Sequence, residues 1–491
     1  MKKILAILIA GTLVVSSTAV AFAGTAPKRG DVNLDGKIDI VDATTVQNIC
    51  ADLGEYSAEQ LTAADADNDG KVVITDATYI QEIVAGLIDP DEEQPEDLDP
   101  AEVKQQGNEA MRQFSAELLK SSVESGKNTF VSPFSVMAAL SMTSNGAKGD
   151  TLTEMEQTLG AKRSVLNAYF KDYVANTPSF KTETTYYGWG ESEEIVYGGM
   201  DIANSLWYNN NGMHNKLHPN FVSDALKYYN AEVFATPFGS ESVDALNSWI
   251  NEKTHEMIPH MVDEMPDEAL LYLVNTIAFQ ASWQKCYDSQ FNVYDSTFTD
   301  DSGKKSPIEL MCSEEPLYLK DGEYADGFMK EYAGNRYAFA AFLPKEGTKL
   351  TDYVKNLTGE RLEKALRPDT HTYQYVEASL PKFKVEYDDK LSDNLKAMGM
   401  PSAFVNGKAN FLRMVEPGAV SPFIDEVLHK TFIEVNESGT KAAAVTVVAM
   451  EDGATPDPPK TITICLDRPF VYMIVDTENN LPVFIGAMET M

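Results

Sequence analysis

The sequence predicts an α+β protein in which a small helical domain with two calcium-binding loops precedes one large domain of helices and mixed β-sheets. At 491 residues the chain is too long for one ordinary domain and long enough to bury a large core. A motif repeats at a fixed interval within residues 31–88, which sets that segment apart. From about residue 101, helical patterns come first and strand patterns follow. That order differs from the alternation that a doubly wound parallel sheet requires.

The first residues have the pattern of a secretory signal peptide. Met1-Lys2-Lys3 precedes an apolar run from Ile4 to Val15, and Ala21-Phe22-Ala23 supplies small residues for cleavage after Ala23. We therefore expect residues 1–23 to be removed and the mature protein to be secreted. No later stretch approaches the length of a membrane span.

The charge balance is strongly acidic. There are 75 acidic against 40 basic residues, a net charge of −35, which disfavours nucleic acid and anionic membranes as partners. The four cysteines are few and scattered, so they predict no disulfide framework and are expected to act as small buried hydrophobic residues.

Two twelve-residue segments match the pattern of calcium-binding loops. In each, carboxylate or amide side chains stand at spaced positions, a backbone carbonyl is offered at position 7, and a glycine at position 6 permits the sharp turn. The predicted ligands of the first loop are Asp31, Asn33, Asp35, Lys37, Asp39 and Asp42, and those of the second are Asp65, Asp67, Asp69, Lys71 and Asp76. Val73 stands where the second loop would have its ninth ligand, so that site takes water there or binds more weakly. Acidic turns without metal are the simpler alternative.

Each loop runs into a helical pattern, Ala43 to Cys50 and Ala77 to Leu87, the second with Ile80, Ile83, Val84 and Leu87 on one face. This loop-helix duplication with Asp at position 12 resembles a type I dockerin, and we assign it residues 30–88. The resemblance implies Ca²⁺ (two ions) and a cohesin module of a scaffold protein as partner, as in a cellulosome-type complex. It places the cohesin-binding residues at Ile40, Val41, Asn48, Ile49, Ile74, Thr75, Glu82 and Ile83. Simple packing of the two helices against each other is the alternative role for these residues. Residues 89–100, rich in Pro and acids, are predicted to be an extended linker.

Residues 101–491 form the predicted large domain. The predicted helices are Ala101 to Glu124, Pro133 to Asn145, Leu152 to Leu159, Pro219 to Tyr229 and Val243 to Ile258. The predicted strands are Ala269 to Gln280, Tyr337 to Leu343, Tyr373 to Phe383, Thr461 to Cys465, Phe470 to Asp476 and Val483 to Ala487.

The stretch from Glu437 to Met450 organises this domain. Its alternate positions from Thr440 to Met450 carry only uncharged and often small residues, whereas the intervening set contains the charged Lys441. A strand with the uncharged set facing inward would therefore fit into the middle of a sheet. The stretch continues into a polar, Pro-rich segment, 451–459, that is typical of an exposed loop. An Ala/Val strand that never moves is the simpler interpretation of this stretch alone.

The motif Glu-x-Gly-Thr-x-Ala-Ala-Ala-x-Thr in this stretch resembles the hinge of an inhibitory serpin, the serine-protease-inhibitor family. Other serpin-like motifs occur in order along residues 101–491, among them Asn128 to Ser135, Asn204 to Trp207 and Leu273 to Trp283. The resemblance implies the serpin fold, with helices, large mixed sheets and an exposed reactive loop.

The resemblance also assigns residues to the working parts of such a domain. The hinge comprises Glu437, Gly439, Thr440, Ala442, Ala443, Ala444 and Thr446. The shutter, where the main sheet parts, comprises Ser132, Ser135, Asn275 and His429. We expect the shutter to be a satisfied buried hydrogen-bond set, with His429 a core histidine rather than a base. Trp283 is expected near the point of first insertion.

The resemblance implies suicide inhibition of a serine protease, with a cysteine protease as the alternative target; the protease cleaves the loop 437–459 and is trapped as the loop inserts into the sheet. Counted from Glu437 with the spacing usual in the family, the resemblance places the reactive bond at Gly453–Ala454, and a shift of one position gives Asp452 or Ala454 as the residue before the bond. Small residues here favour an elastase- or subtilisin-like protease, whereas an Asp would favour an Asp-specific one. A non-inhibitory serpin-fold module displayed on a scaffold is the alternative.

An enzyme is the less favoured class. Ser282-Trp-Gln-Lys285, Ser392-Asp-Asn394 and Lys460-Thr-Ile462 imitate the motif set of penicillin-recognising enzymes, but the last lacks its Gly. Ser282 also follows a strand pattern instead of opening a helix. We therefore predict a protease inhibitor without catalytic residues.

Overall fold

A computed structural model describes residues 28–67, 70–85, 98–186, 192–211, 216–266, 269–373, 375–440 and 460–491. The chain forms two compact units, Met1–Glu92 and Glu93–Met491. The predicted signal peptide and most of the predicted linker lie outside the described residues.

The small unit consists of three helices around a few small apolar side chains. Its helices are α1 (Ile40–Cys50), α2 (Ala58–Ala64) and α3 (Ile74–Val84). The core contains Val32, Val46 and Ile80, which are fully buried. Both loop-following helices begin three residues before the predicted starts. The second predicted helix face is partly wrong, because Ile80 is buried but Val84 is 46% exposed; Leu87 lies outside the described residues.

The large unit has nine described helices and eighteen described strands. The helices are α4 (Pro100–Ser122), α5 (Pro133–Ser144), α6 (Gly149–Leu159), α7 (Arg163–Asn176), α8 (Pro219–Tyr229), α9 (Ser240–Lys253), α10 (Leu350–Lys355), α11 (Gly359–Ala365) and α12 (Ser392–Met398). The strands are β1 (Thr129–Val131), β2 (Lys181–Tyr186), β3 (Ser192–Tyr197), β4 (Gly199–Asn209), β5 (Glu232–Thr236), β6 (Leu271–Ser282), β7 (Val293–Thr299), β8 (Lys305–Glu315), β9 (Leu317–Asp321), β10 (Ala325–Glu331), β11 (Tyr337–Pro344), β12 (Tyr375–Pro381), β13 (Phe383–Lys390), β14 (Leu428–Val435), β15 (Gly439–Thr440), β16 (Thr461–Cys465), β17 (Phe470–Asp476) and β18 (Leu481–Met488).

The main sheet has the order β13-β14-β15-β6-β4-β5. Helix α9 covers one face, where Leu246, Trp249 and Ile250 pack with Trp207 of β4 and Val274 of β6. Alternate side chains of β6, such as Ile277 and Phe279, join the large core on the other face. Helix α9 ends at Lys253, five residues before the predicted end, because the next turn has positive φ at His255 and Glu256.

Two further sheets complete the fold. The order β1-β18-β17-β11-β10-β9 gives a sheet whose strands β17 and β18 are buried at every position. The order β16-β12-β8-β7 gives a four-stranded sheet in which β16 pairs parallel with β12. Strands β2 and β3 form a separate two-stranded hairpin that no sequence pattern predicted.

Candidate functional site

The predicted hinge begins as a strand inside the main sheet. Gly439 and Thr440 form β15, which pairs with Ser282 and Ala281 of β6 on one side. On the other side, Thr440 pairs with Val435 of β14. The first two residues of the hinge strand are therefore hydrogen-bonded between two strands of the sheet, at the end where β6 finishes.

Gly439 is the residue that its position requires. Its φ is +155°, and a Cβ atom there would lie 2.8 Å from the Cα of Ser282 and closer still to the carbonyl oxygen of Ala281. Both are backbone atoms, which cannot move aside as a flexible side chain would. Any side chain at residue 439 would push β15 away from β6.

A stacked aromatic pair lies against the hinge. Trp283 is 2% exposed, stacks on Tyr332 with ring centroids 4.6 Å apart, and donates from Nε1 to the carbonyl of Asn436 at 2.9 Å. Its backbone N–H donates to the carbonyl of Ser438 at 2.8 Å. The hydroxyl of Tyr332 bonds that of Thr440. Trp283 thus contacts the point where the hinge enters the sheet.

A buried ion pair lies beside these rings. Lys330 Nζ and Glu315 Oε1 are 2.7 Å apart, with the side chains 2% and 8% exposed. Lys330 Nζ also lies 4.4 Å from the ring centroid of Tyr287 and 5.6 Å from that of Trp283. Ser313 donates to Glu315 at 2.6 Å. The pair therefore contacts rings that also hold the hinge, and no sequence pattern indicated it.

Glu437 is fixed just before the hinge strand. Its carboxylate forms an ion pair with Lys382 at 2.5 Å, and its carbonyl accepts the N–H of Tyr287 at 3.0 Å. Asn436 Oδ1 accepts the N–H groups of Ser438 and Gly439. The remaining predicted hinge residues, Ala442, Ala443, Ala444 and Thr446, and the predicted reactive bond Gly453–Ala454 lie outside the described residues.

The predicted shutter residues meet where the start of α5 contacts strands β6 and β14 of the main sheet. The N–H of Ser132 donates to His429 Nε2 at 3.0 Å, and Ser132 Oγ accepts the N–H of Ser135 at 3.2 Å. Ser135 Oγ donates to the carbonyl of Asn275 at 3.3 Å. The side chain of Asn275 instead donates to Asn204 Oδ1 at 2.7 Å. Asn204 begins one of the serpin-like motifs, but the sequence did not predict that it would join this set.

Two properties of this set bear on its chemistry. Burial lowers the pKa of His429 to about 4, with Asp389 and Asp388 opposing the shift, so the ring is neutral near pH 7. Asn275 Oδ1 is buried and has no hydrogen-bond partner among the described residues. Among the described residues the set is therefore not completely satisfied, which differs from the prediction.

The first loop of the small unit is closed by its own carboxylates. Asp31 accepts the N–H groups of Asp35 and Gly36 at 3.0 and 2.9 Å. The fully buried Asp42 accepts those of Asn33 and Asp39 at 3.0 and 2.8 Å. Asp39 in turn caps α1 by accepting from Val41.

The second loop has the stronger features of a cation site. Asp65, Asp67 and Asp76 each place a carboxylate oxygen within 4.8 Å of the others, the one such group among the described residues. Asp65 Oδ1 is buried without a hydrogen-bond partner in that part of the chain. An unpartnered carboxylate oxygen among others fits a hard cation with oxygen ligands such as Ca²⁺. Asp69 lies outside the described residues.

The predicted cohesin-binding residues fall into two groups. Ile40, Val41 and Ile74 are 56%, 52% and 58% exposed, and Thr75 is exposed as well. The others are half-buried, namely Asn48, Ile49, Glu82 and Ile83. Apolar side chains at the starts of both helices therefore face outward, which helix-to-helix packing does not explain.

The two serines of the rival enzyme motif accept hydrogen bonds from the backbone. Ser282 is 1% exposed at the end of β6, where its Oγ accepts the N–H of Val196. Ser392 starts α12 and accepts the N–H of Val427. Among the described residues, no helix has the length and apolar character needed to cross a membrane.

Relatives and solved structures are similar to the large unit over nearly its whole length. Serpin B6 of Macaca fascicularis is 30% identical over 396 residues, covering 78% of this chain and 98% of the relative. A serpin-like protein of Methanosarcina acetivorans is 28% identical and covers 74% of this chain and 81% of the relative. The thermophilic serpin tengpin in its native state is 36% identical with a TM-score of 0.69, covering 78% of this chain and 94% of that one. Its latent state gives 35%, a TM-score of 0.65, and coverage of 78% and 97%.

Two family models match the two units. The model described as serpin (serine protease inhibitor) matches residues 109–490, and the dockerin type I domain model matches residues 29–84. Type I dockerins are calcium-binding domains that bind cohesins, and serpins are in general protease inhibitors rather than enzymes. The chain therefore belongs to the serpin family and carries a type I dockerin domain ahead of its serpin domain.

Proposed function

We propose that this protein is a secreted suicide inhibitor of serine proteases that acts by inserting its reactive loop into the main sheet. The observation that carries the proposal is β15, in which Gly439 and Thr440 pair with β6 and Thr440 also pairs with β14. A strand that continues this pairing needs only to extend between its two neighbours. The small, uncharged residues at alternate positions after Thr440 suit that extension.

The covalent step is the first half of an ordinary serine-protease reaction. The protease serine Oγ attacks the carbonyl carbon of Gly453, the bond to the nitrogen of Ala454 breaks, and the serine proton passes to the leaving amine. The product is an acyl-enzyme with the protease esterified to Gly453. Its hydrolysis needs an intact oxyanion hole and triad.

Insertion then competes with hydrolysis. The freed segment after Thr440 extends β15 and pulls the esterified protease along the sheet, which distorts the protease active site. Each new ladder hydrogen bond contributes about 1 kcal/mol, and burial of alternate side chains adds to it. The native state therefore has a higher free energy than the inserted state, and a kinetic barrier separates the two.

The residues at the reactive bond suggest the class of target. Gly453 and Ala454 are small, which favours an elastase- or subtilisin-like protease, and the neighbouring Glu451 and Asp452 disfavour a trypsin-like one. We assign the small unit to a cohesin-bearing scaffold outside the cell, with one Ca²⁺ in each loop. The exposed apolar residues at the starts of α1 and α3 support that assignment.

The test mixes the full chain with an elastase and a subtilisin at several ratios. We expect an SDS-resistant complex and a released C-terminal fragment that begins at Ala454 by mass. Thr440→Arg places a charge where the hydroxyl now meets Tyr332, so it should give cleaved protein without complex, whereas Thr153→Arg on the exposed face of α6 should behave as the wild type. Absence of complex at every ratio, with no rise in melting temperature on cleavage, would favour the non-inhibitory display module instead.

A further inference from the structure

The hydrogen bonds that fix the start of the hinge come from two aromatic residues just past β6. Trp283 donates from Nε1 to the carbonyl of Asn436 at 2.9 Å and from its backbone N–H to that of Ser438 at 2.8 Å. The backbone N–H of Tyr287 donates to the carbonyl of Glu437 at 3.0 Å. Three successive carbonyls at the start of the hinge are therefore held by residues that lie outside β6 itself.

The two aromatic residues differ in how their own positions are fixed. Trp283 forms a β-bridge with Tyr332 and stacks on its ring. Tyr287 is 3% exposed and follows a stretch without regular secondary structure, so its position depends on side-chain contacts. Its ring stands edge-on to Trp283 with centroids 6.4 Å apart, and its hydroxyl lies 3.3 Å from Ser313 Oγ. A further contact is the ammonium of Lys330, 4.4 Å from the ring centroid.

Glu315 holds Lys330 on that ring. Nζ and Oε1 are 2.7 Å apart, and the two side chains are 2% and 8% exposed. Ser313 Oγ lies 2.6 Å from the same Oε1, so one carboxylate orders both the cation at the face of Tyr287 and the hydroxyl beside its phenol group. A cation over an aromatic face is attracted by the ring, most strongly where water is excluded. The ion pair therefore fixes the ring of Tyr287 from two sides.

The position of Lys330 in its strand is one where an apolar residue is expected. Phe328 and Tyr332, at the alternate positions before and after it, are fully buried. Lys330 and Glu315 also lie on β10 and β8, which belong to different sheets. Replacing a buried ion pair by apolar groups of similar size is often neutral or stabilising. The orientation of the surrounding groups explains a charge at this position better than stability does.

We infer that Lys330 is a positioning residue for loop insertion, with Glu315 as its partner, an inference that rests on the proposed function. It acts through Tyr287, whose N–H holds the Glu437 carbonyl two residues before β15. With that carbonyl held, β15 extends from a fixed start, and insertion competes well with hydrolysis of the acyl-enzyme. Without the cation, this start loosens, insertion slows, and more of the chain is released cleaved.

The experiment compares three variants of the full chain with the wild type. Lys330→Met/Glu315→Gln removes both charges, so it should keep most of its melting temperature while losing the cation on Tyr287. Lys330→Met alone leaves Glu315 unpaired and should lose both. Arg361→Met is the matched control on α11, because it breaks a pair with Asp321 of β9, whose side chain is 6% exposed.

Two quantities are measured under native conditions. The first is amide hydrogen exchange of Tyr287, by mass spectrometry of peptides that contain it, which reports the bond to the Glu437 carbonyl without any protease. The second is the ratio of cleaved chain to covalent complex with the protease that the wild type traps. In both Lys330 variants we expect each quantity to rise about fivefold, the factor that corresponds to one lost hydrogen bond. Arg361→Met should lower the melting temperature and leave both quantities unchanged.

The outcomes separate this inference from the proposed function. An exchange rate or a ratio in Lys330→Met/Glu315→Gln equal to that of the wild type overturns the positioning role alone. An equal rise of the ratio in Arg361→Met also overturns it, because lost stability would then account for the effect. Failure of the wild type to form any covalent complex overturns the proposed function and the role of Lys330 in insertion together.

Discussion

Removing the buried charge of Lys330 should destabilise the serpin domain far more than removing an exposed one. In Lys330→Met, Glu315 keeps Ser313 as a donor but loses the ammonium at 2.7 Å, and its carboxylate is 8% exposed. Breaking one partner of a buried ion pair costs about 3–5 kcal/mol, because the remaining charge is left unpaired. The rings of Tyr287 and Trp283 lose their cation contact as well.

That loss of stability lowers the melting temperature by a measurable amount. Unfolding entropy is about 2.1 cal/mol/K per residue, or about 0.8 kcal/mol/K for a unit of roughly 400 residues. A loss of about 4 kcal/mol therefore lowers the apparent melting temperature by about 5 °C. The double variant Lys330→Met/Glu315→Gln should recover most of the loss, because replacing both charges leaves neither unpaired.

The assay is thermal unfolding by circular dichroism at one fixed scan rate, with Lys364→Met as the control. Lys364 forms an exposed i,i+4 pair with Glu360 on α11, so its loss should leave the midpoint unchanged. Two results would refute the reasoning about the buried pair. One is a Lys330→Met midpoint equal to that of the control. The other is a double variant whose midpoint falls by the sum of the falls in Lys330→Met and Glu315→Gln.

Three further outcomes follow from the described contacts. Gly439→Val should convert the inhibitor into a substrate, because its side chain meets the backbone of β6; gels that show undiminished covalent complex would contradict this. Asp76→Ala should abolish the calcium-dependent gain in helicity of the small unit, measured by circular dichroism with and without a chelator, because this buried carboxylate closes the second loop. His429, with a folded pKa of about 4 against 6.5 unfolded, makes the native state most stable above pH 6.5 and less stable as the pH falls towards 4. The lost free energy of unfolding is about 3 kcal/mol, from 1.36 kcal/mol per pKa unit. The melting temperature of His429→Gln should therefore fall less between pH 6.5 and pH 4 than that of the wild type. An equal fall in both proteins would contradict this role of His429.

Elements marked by local signals are predictable from the sequence. Helix α8 and strands β16 and β17 begin and end where predicted, because proline, charged or polar residues bound their apolar runs. Both family memberships follow from ordered motifs. The structure places the four predicted shutter residues within one hydrogen-bonded set, and their role as a shutter stays a prediction.

Features that depend on long-range contacts could not be predicted. The β2–β3 hairpin lacks apolar alternation, since Thr and charged residues fill its exposed positions. Asn204 of β4 meets Asn275 of β6, which is 71 positions further along the chain, and Lys330 of β10 meets Glu315 of β8, a strand of a different sheet. No local pattern marks such a partner. Helix α7 was also missed, because its core face is rich in tyrosine and phenylalanine, which are weak helix formers.

The pairing of β16 with β12 limits what an unbroken chain can do. Nineteen residues connect Thr440 to Lys460, just before β16. Lengthening β15 alongside the whole of β6 would use about ten of them, or about 33 Å of strand. The remaining nine or so residues would have to return over the same span, at the limit of about 30 Å that a fully stretched chain of that length can reach. The pairing of β16 in the four-stranded sheet thus tethers the far end of this segment. β15 can lengthen along the whole of β6 only after a peptide bond in the segment is cut or β16 detaches from β12.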